Sequence, residues 1–131
     1  MNTQSKHILI AEDEASLADV MEEVLRKNNV RVTVTHNGKE ALEVMEKEVP
    51  DVLLLDILMP VLDGHGVMKA MKEKQLRCPV IVVSNLSDEV TRDKCKKEAN
   101  VKAYFVKSDM DDNDLWAVLK TYLLSPSPQL Q

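Results

Sequence analysis

The sequence predicts an α/β domain, a doubly wound parallel sheet of five strands in the order 2-1-3-4-5 with five helices. Two observations predict it. Five short apolar runs, Ile8–Ile10, Val32–Val34, Val52–Leu55, Val80–Val83 and Ala103–Val106, alternate with segments of helical periodicity. Strands that alternate with helices make right-handed crossovers and so a parallel sheet. The second run differs from the others: Val30, Val32 and Val34 alternate with Arg31, Thr33 and Thr35. That half-polar pattern suits an edge strand with one wet face, and an edge position favours 2-1-3-4-5 over the other common doubly wound order.

Taken in order, Ile8-Leu9-Ile10 is wholly apolar, as a strand covered on both faces is. Leu17, Val20, Met21, Val24 and Leu25 then recur at helical spacing and form one buried stripe. After the edge strand, Ala41, Leu42 and Met45 repeat that spacing, and Asn37 with Glu40 fits a helix cap and its reciprocal partner. The third strand is Val52–Leu55, and Val67, Met68 and Met71 mark a third helix behind Asp63-Gly64. A fourth strand at Val80–Val83 leads to a charged fourth helix within Asp88–Ala99. The fifth strand follows, and Leu115, Val118, Leu119, Tyr122 and Leu123 form the last helix, capped by Asp112 or Asn113.

A chain of 131 residues fits one domain with a single core. The net charge of -5 argues against unaided binding to nucleic acid or an anionic membrane, since both need a basic surface. The polar start, Met1 to Lys6, has no signal-peptide core, and no apolar stretch is long enough to span a bilayer. Cys78 and Cys95 fit no metal-ligand spacing and read as free thiols, so the expected compartment is the cytoplasm.

Asp56 ends the apolar third strand, and the predicted order sets it beside Glu12-Asp13 at the topological switch point. Two carboxylates about 5 Å apart repel by roughly 3 kcal/mol at an effective dielectric near 20. Three acidic groups there need raised pKa values or a bound cation, and oxygen ligands in an open cleft suit Mg²⁺. Ser84 ends the fourth strand and Lys107 the fifth, at the same sheet edge. A carboxylate ringed by a hydroxyl, an ammonium and a metal is an environment for phosphoryl transfer.

From about His7 to Leu124 the chain resembles a receiver domain of two-component response regulators, of the single-domain chemotaxis type and with a flavodoxin-like fold. The resemblance rests on Glu12-Asp13, on Asp56 with Met59-Pro60 and Asp63-Gly64, on Ser84, and on Tyr104 with Lys107. It implies that Asp56 accepts a phosphoryl group from a histidine kinase, a phosphotransfer protein or a small phosphodonor. Asp13 and Asp56 would bind Mg²⁺ directly, with the backbone carbonyl of Leu58 as third ligand and Glu12 acting through water. Ser84 and Lys107 would bind phosphoryl oxygens. Tyr104 would turn inward with Ser84, changing how the surface of the fourth helix, fifth strand and fifth helix meets a downstream protein. A monomer or a weak, activation-dependent dimer is implied, spanning residues 1–124, with 125–131 as a tail or linker start.

Several positions depart from the family pattern. Glu12 stands where Asp is frequent and Ser84 where Thr is frequent, both keeping the needed oxygen. Asn85 replaces a small residue and narrows access to Asp56. Ser108 replaces a proline, and a cis bond before serine would cost about 2.5–4 kcal/mol, so the trans form is expected. Asn100 replaces a glycine, and Asn tolerates the left-handed conformation. Leu58 and Leu86, two residues beyond Asp56 and Ser84, cannot orient a water, which predicts slow self-dephosphorylation.

Other readings stay open on the residues. Asp13 alone could cap the first helix. Arg92, Lys94, Lys96 and Lys97 read as a solvated helix face, Trp116 as core or interface, and His7, His36 and His65 are too scattered for a metal site. An aspartate-nucleophile phosphohydrolase would need an acid where Leu58 stands, and a flavin or nucleotide module would need glycines where Glu12-Asp13-Glu14 stands. Ser125-Pro126-Ser127-Pro128 reads equally as a linker into a larger DNA-binding regulator or hybrid kinase, or as a frayed end.

Overall fold

The computed structural model describes residues 6–85, 89–98, 100–109 and 111–124. The predictions for Leu86, Asp88, Ala99 and residues 125–131 lie outside them. The elements are β1 (His7–Ala11), α1 (Ala15–Lys27), β2 (Arg31–Thr35), α2 (Gly38–Lys47), β3 (Val52–Leu55), α3 (Gly64–Glu73), β4 (Val80–Ser84), α4 (Glu89–Lys96), β5 (Val101–Val106) and α5 (Asp112–Leu124). A 3-10 turn, Lys107–Asp109, joins β5 towards α5. All pairings are parallel, in the order β2-β1-β3-β4-β5, as predicted.

β1, β3 and β4 are buried along their whole length. Alternate side chains on one face, Ile8, Ile10, Leu54 and Ile81, pack with Met21 and Leu25 of α1 and Leu115, Leu119 and Leu123 of α5. On the other face Leu9, Leu53, Leu55 and Val82 meet Ala41 and Met45 of α2, Val67 and Met71 of α3 and Cys95 of α4. Both cysteines are free, and burial pushes the Cys78 thiol up to about 12.

Three local readings need correction. Val20 is 45% exposed, because the α1 stripe turns inward at Ala18, Met21 and Leu25. The polar face of β2 is wet only towards its start, where Arg31 is exposed and Thr33 half-buried. Thr35 is buried with its hydroxyl donating to the Ile10 carbonyl at 2.9 Å, and Thr33 Oγ1 meets His7 Nε2 at 2.8 Å. The α5 cap is Asp111, whose carboxylate accepts the Asp114 amide at 2.8 Å, one or two residues before the Asp112 or Asn113 expected. The α2 cap holds as read. Asn37 accepts the Glu40 amide at 2.9 Å, and Glu40 returns the contact to the amide of His36 at 2.9 Å.

Candidate functional site

Register sets the site. Ala11 pairs with Leu55, so the next residues, Glu12 and Asp56, leave the sheet side by side, and the Asp56 amide donates to the Ala11 carbonyl at 3.0 Å. Ser84 pairs with Val106, which brings Lys107 to the same edge one residue later. Behind Asp56 the backbone folds back sharply. A Cβ on Gly64 would stand 2.7 Å from the Asp56 carbonyl oxygen, so only glycine admits that approach. Leu62 donates to the Pro60 carbonyl at 2.7 Å around Val61, whose φ of 69° is rare for a β-branched residue and forms a strained γ-turn.

Carboxylate oxygens of Glu12, Asp13 and Asp56 come within 4.8 Å of one another. Glu12 and Asp56 are buried and Asp13 is exposed. Lys107 Nζ reaches both buried acids, at 2.9 Å and 3.0 Å from the two Glu12 oxygens and 3.3 Å from Asp56 Oδ2. The hydrogen bond runs to Glu12 Oε2; Oε1, though close, is buried without a hydrogen-bond partner. Glu12 Oε2 also accepts the Glu14 amide at 3.0 Å. Glu14 occupies the N-cap position of α1 without a side-chain cap bond, and Asp13 takes no capping role either.

Burial pushes the Glu12 carboxyl up to about 7, with the charge of Asp56 adding to the effect and the Lys107 hydrogen bond opposing it. Asp56 is raised by burial too, again against the pull of Lys107. Burial alone would lower Lys107, but its hydrogen bond to Glu12 and the charge of Asp56 outweigh that and raise it. Two buried acids thus share one cation. The oxygen-only donor set of Glu12, Asp13 and Asp56 fits a hard divalent ion.

The cleft over these groups, about 340 Å³, is lined by Asp13, Glu14, Asp56, Leu58, Asn85 and Lys107. Leu58 lends its amide to Asp56 Oδ1 at 3.3 Å and leaves its side chain 57% exposed. Ser84 is fully buried and is not among the residues that line the cleft. Tyr104 is half-buried beside α4. The Lys107-Ser108 bond is trans. Sequence reasoning missed two neighbours. Glu14 is on the cleft wall, for which the acidic run Glu12-Asp13-Glu14 was the available signal. His36 Nδ1 lies 3.0 Å from the Glu12 carbonyl oxygen, a contact across β2 and β1 that no local pattern announces.

Fold and site together define a doubly wound domain with an acidic, lysine-paired centre at its switch point. The chain belongs to the response regulator receiver domain family, whose family model matches residues 8–120. It is 37% identical over 92 residues to a probable transcriptional regulator, ycf27, of Pyropia yezoensis, covering 70% of this chain and 37% of that protein. The chain therefore spans little more than a third of the length of such curated relatives. Among solved structures, the receiver domain of Francisella response regulator 1452 aligns with a TM-score of 0.83 at 25% identity, covering 91% of this chain and 97% of that one. The receiver domain of sensor histidine kinase PA1611 from Pseudomonas aeruginosa, with magnesium coordinated in its active-site cleft, aligns with a TM-score of 0.81 at 26% identity over 92% and 98%. Domains of this family are signalling modules of two-component systems. No helix among the described residues is long and apolar enough to cross a membrane.

Proposed function

We propose that the chain is the phosphoacceptor of a two-component phosphorelay, with Asp56 receiving a phosphoryl group from a histidine kinase, a phosphotransfer protein or a small phosphodonor. The observation that carries this reading is the meeting of Glu12, Asp13 and Asp56 oxygens within 4.8 Å, with Lys107 Nζ 3.3 Å from Asp56. An ionised Asp56 oxygen attacks phosphorus, the bond to the donor's leaving nitrogen or oxygen breaks, and an acyl phosphate remains. Asp13, Asp56 and the Leu58 carbonyl, with Glu12 through water, would hold Mg²⁺, which would supply positive charge to the phosphoryl oxygens. Lys107 gives up part of its pairing with the two acids to bind a phosphoryl oxygen, and Ser84 donates its hydroxyl to another. Tyr104 then turns inward, altering the surface of α4, β5 and α5 for a downstream protein. The domain spans residues 1–124 and works in the cytoplasm, as a monomer or a weak dimer formed on activation, without itself contacting nucleic acid or membrane.

Incubation with a radiolabelled small phosphodonor tests this. Wild type takes up label only with Mg²⁺, and Asp56→Asn falls to background; label retained in the Asn variant removes Asp56 from its role. The acyl phosphate then decays slowly, because Leu58 offers no group to orient water, and a half-life of a few seconds in Mg²⁺ buffer contradicts that. The greater length of the relatives supports a second reading, in which this domain is one part of a DNA-binding regulator or hybrid kinase. The length of the natural gene product separates the two.

A further inference from the structure

Arg92 of α4 lays its guanidinium over the ring of Tyr104 in β5, with Cζ 5.5 Å from the ring centroid. Arg92 therefore leaves the solvated basic face on which the sequence grouped it with Lys94, Lys96 and Lys97. Both Arg92 and Tyr104 are half-buried, and Arg92 Nε is fully buried with no hydrogen-bond partner. Among the described residues Arg92 joins no ion pair. A guanidinium nitrogen that leaves water without finding an acceptor costs free energy, and the electron-rich ring face is what offsets it here. Leucine or methionine would fill the same space without that cost. Packing alone does not account for an arginine.

The ring's place gives this arrangement its meaning. Tyr104 pairs with Val82, two residues before Ser84 on β4, and packs against the apolar cluster that contains Cys95 of α4. Resting on the phosphoacceptor reading above, we propose that Arg92 is a positioning residue for Tyr104. Its cation–π interaction clasps the half-exposed ring to α4, and an inward turn of the ring has to release that clasp. The clasp sets how readily a phosphoryl group on Asp56 is felt at the α4–β5–α5 surface. By linkage, an interaction made only before switching weakens the binding of whatever drives the switch by the same factor.

The chain has two tyrosines, Tyr104 and Tyr122, so 3-fluorotyrosine labelling gives two fluorine resonances, assigned with Tyr122→Phe. Arg92→Met keeps the apolar stem and removes the cation; its Tyr104 resonance shifts and broadens, while Arg92→Lys stays near the wild-type position. An unchanged resonance in Arg92→Met overturns the clasp. With Mg²⁺ and beryllofluoride, a phosphoryl mimic, Arg92→Met binds about three-fold more tightly than wild type, the size set by one partly buried cation–π pair. Equal or weaker binding overturns the coupling. If wild type takes up no beryllofluoride, the phosphoacceptor reading and the coupling both fall, and the fluorine spectrum still decides whether Arg92 holds the ring. Should Arg92→Met not fold, Arg92→Gln carries the same expectations.

Discussion

The interiors of β1 and β3 and their carboxyl ends lie almost equally deep. Ile10 and Leu54 are 0% and 1% exposed, and Glu12 and Asp56, at the ends of the same strands, are 1% and 4% exposed. Depth that stabilises an apolar side chain, at about 25 cal/mol per Å² of surface buried, works against a carboxylate. Along the strands burial holds the domain together. At their ends it raises two acids toward protonation and leaves one lysine to hold both. The apolar interior fixes where the strands end, and so keeps in place an arrangement of charges that would otherwise spread apart.

The largest expected effect lies in the interior. Leu54→Ala costs about 2–5 kcal/mol by urea unfolding, equally at pH 5 and pH 8, because the cavity it opens has no charge. A loss that depended on pH would blur the contrast between the two regions. Lys107→Ala strips the cation from two buried acids and costs about 3 kcal/mol at pH 8 in chelator, less at pH 5, where protonation relieves them. Glu12→Gln goes the other way. The folded-state pKa of Glu12 is raised from 4.5 to about 7, so the native chain binds more protons in that window and its stability falls as pH rises through it. The Gln variant, measured in chelator, flattens that fall and is about 1 kcal/mol more stable at pH 8.

The smallest effect comes from the opposite end of β1. Burial lowers the pKa of His7, with Glu48 and Asp51 raising it and Arg31 lowering it. Its Nε2 meets Thr33, while Nδ1 is buried without a partner and has no acceptor for a second proton. This contribution is present above pH 6.5 and lost as pH falls through the lowered pKa, opposite in sign to Glu12. The difference between the Tm–pH profiles of wild type and His7→Gln isolates it; identical profiles from pH 7 to pH 5 exclude it.

Much of the site was legible because each of its groups ends a readable strand. Asp56, Glu12 and Ser84 follow apolar runs, and strand order brought those ends together. Less legible was what each group does there. Ser84 is buried and does not line the cleft, whereas Asn85 and Glu14 do; a one-residue step reverses which way a side chain points where a strand ends. The Arg92–Tyr104 pair was hidden because arginine on a charged helix reads as solvated, and only the packing of α4 on β5 turns it inward.

The sequence by itself determined the alternation of strands and helices, the edge position of β2, the buried stripes and the residues at the strand ends. These are local periodicities, carried by neighbours in the chain. Tertiary structure alone decided that Lys107 binds both Glu12 and Asp56, 95 and 51 residues away, that His36 touches the Glu12 carbonyl, and that Arg92 covers Tyr104. Those pairings depend on register and side-chain rotamers settled only when the sheet is assembled. The electrostatic character of the site comes from that assembly, because a carboxylate's pKa reflects how deeply it is buried and which charges stand within a few ångströms of it.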